Sequence, residues 1–588
     1  MKVLATLSKK WWLGEPRRNR VLAAGMLVLL CGLFALFGMI GVSMHTDIME
    51  RDTGNYISEA LVIQNIGWAQ FIPACWRGEY RIDNRHPLYL VLLSFLAKID
   101  PEAFVRMKLM TWGIGFLMVA AFFGMAAHLY DWATATFSTL LLVLNAGFIR
   151  YSTMVTCEVL LVLCIMASWY LTIVGFRRPV MWIGAGIASG LAFLTKGTGI
   201  LVVPVFLVTT VFVYHGNLLR LLRNRYFWSF WIAFVLVSSP LLIRNAKVYG
   251  DPFYNFNRKL LWIDHLEEAL RPDFPVHSPS PQSFWERHGA GGILRIFVES
   301  IVRRGPYMVR EELEPYHFWR FNETVQLTYS NRVVKMSVWV TVLMLGCAAV
   351  GLMNIPRREE RWLSLVWMTT IYIFIAWYSK IGIMPHLMFP LIPFVLLYAG
   401  SGLGKITGGI LRGKTATPNA AMAIVLMTAI AVPAGWGSKN VDWREVSLSK
   451  TVSIPPHCYE IYDWIQQHVR PYDRSFFATT TMGYLFLIGA MKQDAEWLWP
   501  SRRGLWQEWP HQENMDAFKQ YIQKEHIRFG IIETEMFTQR RLWFREYIDV
   551  DPARGIVVSR PIPGFCIVAK DPSPVCSYLI FEFDTEQF

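Results

Sequence analysis

Charged side chains make up only 17% of the 588 residues, where soluble proteins carry about 25%. Cysteine is sparse as well: the eight residues form no Cys-x-x-Cys pair and show no zinc-ligand spacing. Internal repeats and low-complexity runs are absent. These shortages exclude an ordinary cytosolic enzyme. Acidic residues are the scarcer charge, 44 against 57 basic ones, for a net charge of +13. A nucleic-acid binder would share that excess, but not a composition that is 54% hydrophobic with 25 Trp and 38 Phe. The mean hydropathy of +0.31 points to a membrane instead. What matters then is where each base sits.

A helix needs about 20 apolar residues to cross roughly 30 Å of hydrocarbon. Such runs lie near 21–43, 107–128, 133–150, 158–176, 180–196, 199–214, 227–243, 336–354, 363–379, 385–400 and 420–437. Residues 86–98 are also apolar, but about 13 residues rise only about 20 Å as helix. That segment reads as a re-entrant or interfacial helix. The positive-inside rule supports the assignment. A cytoplasmic N-terminus would hold Lys2, Lys9, Lys10, Arg17, Arg18 and Arg20. Later inward loops would hold Arg177 and Arg178, then Arg220, Arg223 and Arg225, then Arg357, Arg358 and Arg361, then Lys405, Arg412 and Lys414. Only the turn at Asp131 lacks a base, and the short outward loops carry few. Counting 86–98 as a crossing would destroy this asymmetry.

The expected fold is therefore a polytopic α-helical membrane protein of about 11 transmembrane helices with a C-terminal extracytoplasmic α/β domain. Residues 1–20 form the cytoplasmic N-terminus. Residues 21–437 form the membrane module, with long outward segments at 44–106 and 244–335, and residues 438–588 form the outer domain. In that domain 457–469 and 515–526 have helical periodicity, and 475–480, 528–533 and 565–570 read as strands. The apolar N-terminal stretch is too long for a cleaved signal peptide and lacks a small-x-small site. Cys75, Cys458, Cys566 and Cys576 fall outside, with room for one bridge in the C-terminal region.

Ionisable groups near a membrane are costly, so each is a functional candidate. Asp52 follows the first span, with Tyr56 and Ala60 on the same helical face. Glu50 and Glu59 beside it read as solvated charges. Glu158 starts the fourth span and has no base within one turn on its own helix. Lys196 ends the fifth, between Thr195 and Gly197, where glycine lets a headgroup approach the backbone. Arg85 and His86 precede Pro87 at the start of the short helix, a place suited to an anion. Arg244 opens the second long outward segment, and Lys380 and His386 flank the start of the tenth span. Interfacial anchoring, snorkelling and the helix dipole each offer a bland account of one of these groups. All of them fall on one membrane face.

In order and sidedness these residues resemble the GT-C fold glycosyltransferases that use lipid-linked sugars. The resemblance is to the branch of the protein O-mannosyltransferases, the aminoarabinose transferase of lipid A and the Rgt-type bacterial enzymes. Their outward acid, often Asp-Glu-x-x-Tyr, is matched by Asp52 and Tyr56, with Thr53 in place of the second acid. His86-Pro87-Leu88-Tyr89, Glu158, Thr195-Lys196-Gly197, and Ser379, Lys380, Pro390 and Pro393 match later motifs. The resemblance implies inverting transfer of a monosaccharide from a polyprenyl-phosphate donor to an extracytoplasmic lipid, glycan or protein. It implies Asp52 as general base, Lys196 with Arg85 or His86 on the phosphate, and Glu158 orienting the sugar or assisting the base. Arg244, Lys380, His386 and Tyr56 complete the expected binding set. No metal is required, although an acid pair could hold one divalent ion. The expected site of action is the bacterial inner or plasma membrane, among membrane lipids and without nucleic acid. A transporter or flippase of lipid-linked or envelope substrates is the first alternative, but carriers usually show repeated halves. A non-catalytic envelope scaffold is the second.

Overall fold

The computed structural model describes residues 17–44, 53–80, 85–98, 101–214, 216–255, 257–265, 268, 279–313, 331–382, 384–410, 454–470, 473–477, 485, 488, 505–508, 515–534, 547–551, 553–574 and 576–587. Asp52 and the 420–437 run lie outside them. The other ten apolar runs are all helical. Six helices among the described residues are long and apolar enough to cross a membrane: Val21–Ser43, Ala103–Leu129, Glu158–Arg177, Arg225–Tyr249, Arg358–Ile381 and Pro385–Lys405. Four shorter apolar helices accompany them, Trp132–Val143, Met181–Thr195, Gly197–Val213 and Thr341–Met353. The chain is an integral membrane protein. Among the described residues six helices are thus of full spanning length and four are shorter.

Local chemistry explains some of the shortening. The 133–150 run breaks because the Asn145 side chain accepts the Phe148 N–H at 2.8 Å, starting a separate Ala146–Thr153 helix. Asp131 caps Trp132–Val143 in the same way, accepting the Thr134 N–H at 2.7 Å. The 86–98 segment is a helix of only eight residues, Pro87–Ser94, about 12 Å long. It is too short to span. Its Tyr89, Leu90 and Leu93 are buried, and it packs on the Thr53–Ile66 and Met181–Thr195 helices.

The long helices carry two kinds of surface. Val28, Leu117, Leu236 and Leu343 are exposed, as suits groups facing lipid. Inward faces hold Phe34, Trp367, Phe394 and small residues. A side chain at Gly402 would meet the Cys347 carbonyl, so the Asn331–Met353 and Ile392–Ile410 helices approach closely there. One set of buried polar groups is paired across helices: Trp169 donates to Ser364 Oγ at 3.0 Å, and Ser364 Oγ lies 2.5 Å from the Tyr398 hydroxyl.

Among the described residues the C-terminal region holds the helices Pro456–His468 and Met515–Glu525 and seven strands. These are β1 (Arg474–Phe477), β2 (Leu505–Glu508), β3 (Ile527–Glu533), β4 (Ile548–Asp551), β5 (Gly555–Val558), β6 (Phe565–Lys570) and β7 (Tyr578–Phe583). Five form a mixed sheet in the order β2-β1-β3-β7-β6, and β4 and β5 pair separately. Both expected helices and three expected strands are present. None of the eight cysteines is joined in a disulfide, so the C-terminal bridge that the sequence leaves room for is not formed in this structure. Cys566 is exposed on β6, opposite Glu582, while the Cys576 thiol donates to the Tyr578 carbonyl at 3.2 Å.

Candidate functional site

Helix direction sorts the charges into two ends. Glu158 begins its helix, Lys196 follows the end of Met181–Thr195, and Arg244 lies in the last turns of Arg225–Tyr249. Arg177, Arg178, Arg225, Arg357 and Arg358 lie at the opposite ends of the same helices or of Arg358–Tyr378. Arg177 and Glu359 meet there at 4.0 Å. The candidate site thus sits at the end remote from the basic turns.

Two ion pairs define it. Lys196 Nζ lies 2.7 Å from Glu158 Oε1, with the carboxylate side chain only 6% exposed. Arg85 Nη1 lies 3.2 Å from Glu59 Oε1, with side chains 12% and 8% exposed. Glu59 was expected to be solvated. It is buried instead, because the Thr53–Ile66 helix is enclosed on most of its faces and needs a counter-charge for a carboxylate there. The base that Glu158 lacks on its own helix comes from the next helix end, 38 residues away in sequence.

Tyr56 joins the pairs. Its ring centre is 5.2 Å from the Arg85 guanidinium, and its hydroxyl lies 2.9 Å from Cys157 Sγ, beside Glu158. Thr53, one residue after Asp52, donates to the Val155 carbonyl at 3.3 Å. Tyr89 packs edge-on against Tyr56, with centroids 5.3 Å apart, and its hydroxyl lies 2.7 Å from Thr111 Oγ1.

His86 is almost fully buried, and burial chiefly depresses its pKa to about 4. Its hydrogen bonds agree with a neutral ring. Nδ1 meets the Phe193 carbonyl, which only accepts, so Nδ1 carries the proton and Nε2 is the acceptor. Asn255 Nδ2 faces Nε2 at 3.4 Å, and the Asn257 N–H holds Asn255 Oδ1 at 2.8 Å, fixing the amide. The ring therefore does not provide the cation expected of it. It braces Asn255 against Gly197, where an added Cβ would lie 3.4 Å from His86 Nε2 and would strike Asn255. Gly197 does admit a close approach, but its visible partner is a side chain of this protein.

Arg244 is 1% exposed, with its guanidinium 5.5 Å from the Tyr80 ring centre and 5.6 Å from that of Tyr249. Its charge is felt at His86. The Tyr80 phenol is held well above its ordinary range by burial and then by Glu59. Arg244, Tyr80, Glu59, Arg85 and His86 thus belong to one electrostatic cluster.

Lys380 is engaged elsewhere. Its Nζ donates to the Leu261 carbonyl at 2.7 Å and lies 3.9 Å from the Phe284 ring centre. A neighbouring polar group joins Arg287 to Asp264 at 2.8 Å and His288 to the same carboxylate at 2.9 Å. His386 is half-buried on the Pro385–Leu391 turn. Glu59, Tyr80 and Asn255 were not anticipated as members of the site. Only the helical spacing of Tyr56 and Glu59 hinted at any of them.

Fold and site together define a helical membrane protein with a paired, largely buried charge cluster at one end of its bundle. Comparison with known proteins adds a more particular likeness. Residues 84–243, which include Arg85, His86, Glu158 and Lys196, match the family described as dolichyl-phosphate-mannose-protein mannosyltransferase. Over 108 residues the chain is 31% identical to undecaprenyl phosphate-alpha-4-amino-4-deoxy-L-arabinose arabinosyl transferase 2 of Proteus mirabilis, an alignment covering 18% of each protein. Two solved structures are also similar. One is the oligosaccharyltransferase AglB from Archaeoglobus fulgidus with an inhibitory peptide and a dolichol-phosphate, at 11% identity and TM-score 0.48, covering 91% of this chain and 74% of that one. The other is ArnT from Cupriavidus metallidurans bound to undecaprenyl phosphate, at 14% identity and TM-score 0.45, covering 95% and 98%. The resemblance to lipid-linked-sugar glycosyltransferases is borne out by the family match and the curated relative.

Proposed function

We propose that this chain is a membrane glycosyltransferase that moves a monosaccharide from a polyprenyl-phosphate donor to an extracytoplasmic lipid, glycan or protein. The observation that carries the proposal is the pair of buried ion pairs, Arg85–Glu59 and Lys196–Glu158, with Tyr56 reaching from Arg85 to Cys157 beside Glu158; Arg85, Glu158 and Lys196 lie in the stretch 84–243 that matches a family of sugar-phosphate-using enzymes. Residues 21–437 would form the catalytic module, with a cytoplasmic N-terminus, and residues 438–588 an outer domain.

Charge supports a phosphodiester ligand. Arg85, Lys196 and Arg244 stand against Glu59 and Glu158, and a neutral His86 adds nothing. Three bases are thus gathered where the negative charge of a phosphate would lie, with Glu59 and Glu158 as resting partners of two of them. Lys196 would leave Glu158 in part and neutralise the departing phosphate as the glycosidic bond breaks. A cation already held in a water-poor site stabilises such developing charge far better than one drawn from solvent. Glu158 would then be free to accept a sugar hydroxyl.

Asp52 would take the acceptor's proton as its oxygen attacks the anomeric carbon, giving inversion. Support comes from its chain neighbour: Thr53 is tied to Val155, three residues before Glu158. Asp52→Asn should abolish transfer while leaving membrane insertion intact. The readout is lipid and glycan mass spectrometry of a deletion strain carrying each allele, against wild type. Restoration of the missing product by the Asn variant at wild-type level would remove Asp52 from the base role.

A further inference from the structure

Away from this site, three side chains of the C-terminal region converge with a donor set that suits a soft divalent ion. His457, Cys458 and Glu533 place one ligand atom each within 4.8 Å of one another. His457 Nε2 is already 3.1 Å from Glu533 Oε1. Cys458 is 1% exposed and Glu533 6%, whereas the His457 side chain keeps 23% of its surface open to solvent.

The local fold explains the convergence. Pro455 and Pro456 restrict the backbone at the start of the Pro456–His468 helix, so His457 and Cys458 stand in its first turn. Glu533 is the last residue of β3, paired in register with Tyr578 of β7. Tyr578 donates to Glu460 Oε2 at 3.1 Å, which ties the same helix to the same strand end. The three ligand positions are therefore held by two elements already clamped together.

We propose that His457, Cys458 and Glu533 bind one zinc ion, with a fourth position open to water on the His457 side. Imidazole, thiolate and carboxylate are all zinc ligands, at about 2.0–2.3 Å. A tetrahedral centre with those bonds sets its ligand atoms about 3.3–3.7 Å apart. The observed spread closes to that geometry by side-chain torsion of about 1 Å. Thiolate and carboxylate together cancel the ion's two charges, so the site is neutral beside the helix N-terminus. That terminus itself favours the thiolate form. Bound metal would staple the first turn of the helix to the sheet and add its binding energy to folding.

The test uses the full-length chain in detergent, without a polyhistidine tag, stripped with EDTA and titrated with Co(II) and then Zn(II). One equivalent of Co(II) should give tetrahedral d–d bands and a thiolate-to-cobalt charge-transfer band, both displaced by one equivalent of Zn(II). Cys458→Ser should lose the charge-transfer band, while Cys566→Ser, at an exposed thiol, should keep it. His457→Gln should weaken Zn(II) binding more than about 100-fold, since even outer-shell changes cost 10–100-fold. If Cys458→Ser is unstable, the His457→Gln titration decides alone, because that side chain is only partly buried. Absence of a stoichiometric cobalt spectrum would overturn the assignment. So would a His457→Gln chain that binds Zn(II) as wild type does.

Discussion

Replacing Lys196 by alanine should lower sugar transfer by about 10²–10³-fold, the usual cost of removing one preorganised charge donor. Lys196 is paired with a carboxylate that is only 6% exposed. Lysine at that position has two tasks, neutralising Glu158 in the resting protein and, on the proposed mechanism, neutralising phosphate as it leaves. A structural role alone would predict a different pattern. Lys196→Ala strands a buried carboxylate, and breaking a buried pair from one side costs about 3–5 kcal/mol. The double variant Lys196→Ala/Glu158→Gln removes that stranded charge. It should regain most of the thermal stability in detergent and none of the transfer activity. Recovery of transfer together with stability would show that the lysine serves only to fold the site.

Removing Glu59 should cost as much stability as removing Lys196. Arg85 is 12% exposed and has the Glu59 carboxylate at 3.2 Å. Glu59→Leu takes the carboxylate away from the guanidinium, and the Tyr56 ring beside it compensates far less than a carboxylate. The expected cost is about 3–5 kcal/mol, read as earlier thermal unfolding of the detergent-solubilised chain. Arg85→Leu/Glu59→Leu should recover a large part of it, since two apolar groups of similar volume replace both charges. Transfer should stay low in the double variant, because Arg85 is assigned to the phosphate. A Glu59→Leu chain as stable as wild type would mean that the pair is solvated in the working protein.

Much of this arrangement was legible in the amino-acid sequence, for reasons that differ from residue to residue. Apolar runs announce spans because hydrocarbon tolerates little else. The same rule made Glu158, Lys196 and Arg244 conspicuous, since a charge beside a span is rare enough to demand a reason. The eight-residue Pro87–Ser94 helix was readable because length alone denied it a crossing. Pairing was not readable. Arg85 and Glu59 are 26 residues apart, and Lys196 and Glu158 are 38 apart. No periodicity of 3.6 reports contacts between different helices. Glu59 was misjudged for that reason: burial of one face depends on neighbours that its own segment does not encode. His86 was misjudged on charge, because a carbonyl at Phe193 and an amide at Asn255 set its protonation from distant parts of the chain. The break at Asn145 needed only local capping chemistry, but an apolar run on both sides concealed it.

The central claim is that the cluster of Arg85, Lys196 and Arg244 recognises a polyprenyl phosphate. Its most direct test compares binding of undecaprenyl phosphate and undecaprenol to the purified full-length chain, by native mass spectrometry in the same detergent. The two lipids differ only in the phosphate. The account predicts one saturable undecaprenyl phosphate per chain, with undecaprenol bound at least about tenfold more weakly, a difference of about 1.4 kcal/mol. Equal binding of the two lipids would contradict it.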